Sequence, residues 1–94
     1  MALQFEWDAR KEALNRKKHG VPFSEAATVF GDSRSLTVAD PDHSLEEDRF
    51  VLLGLSYRER LLVVVHTERG DTIRIISARK ATKTERRQYG EVRG

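Results

Sequence analysis

The stretch Leu61-Leu62-Val63-Val64-Val65-His66-Thr67-Glu68-Arg69-Gly70-Asp71-Thr72-Ile73-Arg74-Ile75-Ile76-Ser77-Ala78-Arg79 decides the fold. Its first five residues show no polar alternation, which predicts a central strand covered on both faces. Glu68-Arg69-Gly70-Asp71 reads as a turn, with Gly70 at a left-handed position. A second strand follows over residues 72–78. Strict alternation puts Ile73, Ile75, Ser77 and Arg79 on one face of it, and Thr72, Arg74, Ile76 and Ala78 on the other. Working outward, residues 49–56 form a preceding strand across the gap Tyr57-Arg58-Glu59-Arg60. Gaps of four residues favour hairpins, so an antiparallel meander is expected. Residues 35–39 add a short strand before the loop signal Asp40-Pro41-Asp42.

The flanks read as helices. Residues 4–7 suit a short edge strand, and Asp8 is a good N-cap for a helix over residues 9–18. Basic residues crowd the last turn of that helix, where they offset the dipole, and Gly20 can close it in a left-handed conformation. Ser24 is expected to cap a short helix over residues 24–30, bounded by Pro22 and Gly31. After the last strand, residues 82–89 read as a helix ended by Gly90, with Thr82 and Glu85 at capping-box spacing. The order is β-α-α-β-β-β-β-α, an α+β layout with its helices against one antiparallel sheet.

The 94 residues suit one domain spanning 1–94. No apolar run approaches the roughly 18–20 residues needed to span a bilayer. The start, Met1-Ala2-Leu3-Gln4-Phe5-Glu6-Trp7-Asp8, has neither the basic nor the apolar region of a secretory leader. With no cysteine there is no disulfide framework, thiolate metal site or Cys nucleophile. A cytoplasmic protein is expected. The net charge of +2 hides segregation. Residues 10–19 carry five Lys/Arg and one Glu, residues 31–48 one Arg and six Asp/Glu, and residues 79–93 six Lys/Arg and two Glu. Two basic blocks point to a polyanion partner, and to one site if the fold brings them together.

Four features can carry chemistry. Lys17-Lys18-His19-Gly20 ends the first helix; its cations suit the helix terminus, but His19 at a tight turn can present its ring outward. Imidazole titrates in the range useful for proton transfer in phosphodiester cleavage. Arg79 at a strand end, and Arg49 at the start of another, can each hold a phosphate in a fork or pair with a carboxylate such as Glu47 or Asp48. The acidic stretch 40–48 lacks calcium-loop spacing and reads as a solvated loop. Tyr89 can pack on the sheet or present its hydroxyl to a site. Basic blocks alone suit a non-catalytic nucleic-acid- or protein-binding module, such as a repressor subunit, equally well.

Taken together the residues resemble the BrnT-like toxins of bacterial type II toxin–antitoxin systems. The matching pieces are Phe5-Glu6-Trp7-Asp8 with Lys11 and Asn15, then Lys18-His19-Gly20-Val21-Pro22-Phe23 with Glu25-Ala26 and Phe30. They continue with Asp48-Arg49, Leu53-Gly54, Thr67-Glu68-Arg69 and Ile73 to Thr82, closing on Glu85-Arg86 and Tyr89. The resemblance implies a RelE-like ribonuclease fold and RNA cleavage that needs no metal or cofactor and inhibits translation. It also implies neutralisation by a cognate antitoxin of ribbon-helix-helix type, in a complex that binds its own promoter DNA. Carried onto this chain, it makes Lys18, His19, Arg49 and Arg79 the catalytic set, with His19 as general base or acid. Trp7, Arg69, Arg74 and Tyr89 become RNA contacts. Many members have Glu immediately before the Arg that opens the first long strand, whereas here the run is Glu47-Asp48-Arg49.

Overall fold

A computed structural model describes residues 3–40 and 48–93, with side chains through Glu91. The elements are β1 (Gln4–Glu6), α1 (Ala9–His19), α2 (Phe23–Thr28), a 3-10 turn (Val29–Gly31), β2 (Leu36–Ala39), β3 (Arg49–Leu55), β4 (Leu61–Arg69), β5 (Thr72–Lys80) and α3 (Lys83–Arg93). One sheet runs β1-β5-β4-β3-β2.

The apolar run of β4 is central, as its composition predicts. Leu62 and Val64 enter a core with Val21, Phe23, Ala26 and Val29 from the α2 side. Leu61 and Val63 enter a second core with Leu53 and Tyr89 beneath α3. Strands β2 to β5 form the expected meander. The sheet is nevertheless mixed, because β1 runs parallel to β5. A parallel pair needs a long crossover, and everything between these two strands supplies it. The strands also run further than expected, to Arg69 and Lys80, leaving a tight turn led by Gly70 at φ 60°.

Two helix boundaries differ from the sequence expectation. Pro22, extended at φ −68° and ψ 146°, holds the N-cap position of α2, and its carbonyl accepts from the N–H groups of Glu25 and Ala26. The helix therefore begins at Phe23, and Ser24 lies inside it rather than capping it. α3 continues through Gly90 to Arg93, because the backbone there does not adopt the left-handed conformation that would end the helix. The capping box at its start is present: the Thr82 N–H donates to Glu85 Oε1 at 2.8 Å, and the Glu85 N–H to Thr82 Oγ1 at 3.2 Å.

The main departure is a β-bulge in β5. Ser77 pairs with Val65 and Ile75 with His66, so Ile76 has no partner on β4. An extra residue reverses parity beyond it. Ala78 consequently joins Ile73 and Ile75 in the α2-side core, while Arg79 pairs with Val63 and faces α3. The face assignment read from strict alternation is thus wrong for Ser77, Ala78 and Arg79.

On β3, Gly54 is buried. A Cβ there would meet Ser35 Cβ and Val29 Cγ1, each at 2.9 Å, and Asp32 Oδ2 at 3.1 Å. Gly54→Ala should therefore destabilise the fold by about 1–3 kcal/mol through overpacking. A shift of the urea midpoint to lower concentration is the readout; an unchanged midpoint would show that the Val29 segment moves aside freely.

Candidate functional site

β1 pairs with Thr72, Ile73 and Arg74, so beyond Arg74 the outer edge of β5 has no strand neighbour among the described residues. α1 lies along that edge. Asp8 starts the helix by accepting from the Lys11 N–H at 3.0 Å, a bond that also lowers the Asp8 carboxyl pKa. Gly20 ends it at φ 71°, donating to the Arg16 carbonyl at 2.8 Å. Both caps are those read from the sequence.

α1 has no apolar stripe to dock with: Asn15 is its buried residue, and Leu14 is 62% exposed. Its attachment is polar instead. Asn15 Nδ2 donates to the Ala78 carbonyl at 2.8 Å, and the Ala78 N–H donates back to Asn15 Oδ1 at 3.1 Å. The amide thus takes the place of a neighbouring strand at the β5 edge. The same Nδ2 reaches the Val21 carbonyl at 3.2 Å.

A groove of about 270 Å³ opens between helix and edge, lined by Lys11, Leu14, Asn15, Lys18, His19, Ile76 and Ser77. Lys11, Asn15 and Lys18 share one helix face through their i, i+4, i+7 spacing. Arg16, Lys17 and Lys18 crowd the last turn; their charge exceeds the half-unit negative end of the helix dipole, leaving the groove mouth positive. Ser77 connects this groove to the α3 face, because its register partner Val65 belongs to the row that includes Val63.

The α3 face holds the strand-borne arginines. Arg74 pairs in register with Thr67, and Thr67 with Arg49. Arg69 and Arg79 lie on the same face by the alternation of β4 and by the bulge. Arg74 Nη1 contacts Glu6 Oε2 at 2.9 Å. Arg79 forks onto Glu85, Nη1 to Oε1 at 2.8 Å and Nη2 to Oε2 at 2.9 Å. Among the described residues its carboxylate partner is therefore Glu85 of α3 and not Asp48; Glu47, the other carboxylate expected, lies with residues 41–47 outside those described. Among the described residues no three His, Asp or Glu side chains cluster to hold a metal ion.

A model of the family described as "Ribonuclease toxin, BrnT, of type II toxin-antitoxin system" matches residues 7–85, most of the chain and all of the groove. The chain belongs to this BrnT family. A 1.1 Å crystal structure of the Brucella abortus ribonuclease toxin BrnT superposes with a TM-score of 0.68 at 20% identity, over 87% of this chain and 100% of that one. That likeness establishes a shared fold. No curated protein sequence matches the chain. No helix among the described residues is long and apolar enough to cross a membrane.

Within this BrnT fold the expected site residues separate into groups. Lys18 and His19 meet in the β5 groove. Arg49, Arg69, Arg74 and Arg79 sit on the α3 face instead. Arg49 rises from β3, two strands inward from β5 and so about 9.6 Å from it. The two basic blocks do not form one cluster: the first borders the β5 edge, the second the α3 face. They adjoin along β5, at Ser77. Tyr89, expected to touch RNA, is 5% exposed, and its hydroxyl donates to Asp32 Oδ2 at 2.6 Å, so it anchors α3 to the sheet. Trp7 is half-buried, edge-on to Phe23 at 6.1 Å. Lys11, Asn15 and Ser77 were not among the expected site residues. The i, i+4, i+7 spacing on α1 could have drawn attention to Lys11.

The Arg79 fork holds the Glu85 carboxyl at about 2, against the usual 4.5; the Thr82 N–H contributes further. A carboxyl depressed on folding contributes stability above its unfolded pKa and loses it as the pH falls through the folded one. Wild type should therefore exceed Glu85→Gln in urea midpoint at pH 7, with the gap closing as the pH falls from 4.5 towards 2. A gap unchanged at pH 3 would mean that the fork contributes nothing.

Proposed function

We propose that this BrnT chain is the toxin of a type II pair and cuts RNA at the β5 groove without a metal ion, thereby inhibiting translation. What carries the reading is one juxtaposition: His19, Lys18 and Lys11 line a groove along a strand edge, in a chain whose family is one of ribonuclease toxins. RNA cleavage through the 2′-hydroxyl requires a proton to leave that hydroxyl, charge on the crowded phosphate to be balanced, and a proton to reach the departing 5′-oxygen. His19 moves a proton as general base or general acid. Lys18 and Lys11 balance the phosphate charge from α1.

The flanking strand crosses the β5 edge at Ser77 onto the arginine-bearing face. Arg74 and Arg79 hold its backbone there, with Arg49 and Arg69 further along. Arg79 and Arg49 thus act on the substrate from the neighbouring face, not in one clamp around the imidazole. Trp7 is left as a core residue. The topology is of RelE type, and the natural inhibitor is a ribbon-helix-helix antitoxin whose complex with this chain binds promoter DNA.

Induced expression of the wild-type chain should arrest growth and fragment cellular RNA, and co-expression of the neighbouring small gene product should restore growth and yield a complex on a sizing column. A folded wild-type chain that neither arrests growth nor cuts RNA would leave the binding-module reading in its place.

A further inference from the structure

The backbone that follows His19 is tethered more firmly than a helix end requires. Gly20 already closes α1 through its own N–H. Its carbonyl, however, also accepts from Arg60 Nη2 at 3.1 Å, forty residues away. The next carbonyl, that of Val21, is taken by Asn15. Arg60 is itself immobilised. Its Nε donates to Glu25 Oε2 at 2.8 Å, and its Nη2 binds Glu25 Oε1. Glu25 is 2% exposed, and its Oε2 also accepts from the Ser56 hydroxyl at 2.7 Å. Ser56 and Arg60 close the β3–β4 turn onto each other, the Ser56 N–H donating to the Arg60 carbonyl at 2.9 Å, with Glu59 left-handed at φ 61°.

A buried carboxylate needs a charged partner, and Arg60 meets that need through Nε and Nη2, with Arg58 Nη1 a further cation 3.8 Å from Oε1. The extra reach to the Gly20 carbonyl is not required for neutralisation. It couples the core of α2 and the β3–β4 turn to the backbone directly following His19. A planar guanidinium held by a bidentate carboxylate transmits position well, because its donor directions are fixed relative to one another.

We infer that Arg60, oriented by Glu25, is a positioning residue that holds the His19–Gly20 turn, and so the His19 imidazole, in its working place at the β5 groove. The inference rests on the proposed role of His19 in cleavage. Arg60→Lys keeps the charge beside Glu25 and loses the fork that spans to Gly20, so the fold is retained while the tether is lost. Small misplacements of a reacting group cost up to about a hundredfold in rate.

The test is a double-mutant cycle in single-turnover and steady-state RNA cleavage, using wild type, Arg60→Lys, His19→Ala and the double variant, with melting curves confirming that each is folded. Arg60→Lys is expected to lower kcat between about tenfold and a hundredfold with KM within about twofold. In the His19→Ala background it should cause no further loss, since the group it positions is gone. Equal losses in both backgrounds, or a folded Arg60→Lys with wild-type kcat, overturn the inference and leave the role of His19 intact. A His19→Ala that cleaves like wild type overturns the site reading itself, and this inference with it. If Arg60→Lys fails to fold, Glu25→Gln, which keeps the size and one acceptor, takes its place in the same cycle under the same criteria.

Discussion

Asn15→Ala is expected to cost about 3 kcal/mol of folding stability, among the larger effects available to a single substitution in a small domain. The side chain makes three hydrogen bonds to backbone groups, two to Ala78 and one to Val21, and is 8% exposed. Truncation strands the Ala78 N–H, its carbonyl and the Val21 carbonyl beneath α1, where water replaces the amide poorly. Each stranded group costs roughly 1 kcal/mol or more. For a domain of this length that corresponds to a fall in Tm of about 12–24 °C. Asn15→Asp should be no better, since its carboxylate faces two carbonyl oxygens in place of an N–H donor. Leu14→Ala, one residue away, should melt near wild type, because Leu14 is 62% exposed. A Tm for Asn15→Ala within two or three degrees of wild type would mean that α1 is held by something other than this clasp.

The contrast between Asn15 and Leu14 shows which parts of the fold were legible in the sequence. Local rules worked where one residue settles the geometry: Asp8 and Gly20 cap α1, Thr82 and Glu85 form the capping box, and Gly70 turns the last hairpin. They failed where the outcome depends on a distant segment. Nothing local says that β1 will lie parallel to β5, since that pairing depends on where the chain returns after two intervening helices and three strands. Ser24 has good capping chemistry, but the carbonyl that receives the first helical bonds belongs to Pro22.

The bulge is the most consequential case. Thr72 to Arg79 alternates well enough on paper, and only pairing with Val65 and His66 reveals that Ile76 is surplus. That single residue decides that Arg74 and Arg79, five apart, share a face. The sequence therefore supplied the candidate site residues but not how the fold groups them. Lys18 and His19 were recognisable from their helix end. Their separation from the arginines was not, because it depends on parity beyond the bulge. Asn15 was seen as a matching residue, without the sheet edge that explains it.

The second large effect concerns His19. Removing the imidazole should leave the fold intact, since the ring is only half-buried and α1 is held by Asn15. Cleavage should fall about 10²–10⁴-fold, the usual contribution of a positioned general acid or base. Lys18→Ala should cost less, because Lys11 lines the same groove and still supplies a cation. Growth arrest on induced expression should disappear with His19→Ala while the protein still accumulates and still captures its antitoxin.

The most direct test of the reaction is the cleavage rate of purified wild type and His19→Ala on one RNA in excess EDTA, with a matched strand carrying a single 2′-deoxy nucleotide at the cut site. The proposed chemistry predicts that wild type cuts the RNA in EDTA and spares the deoxy position, and that His19→Ala cuts neither appreciably. Cleavage that needs added metal, cutting at the deoxy position, or a folded His19→Ala with wild-type activity would contradict it.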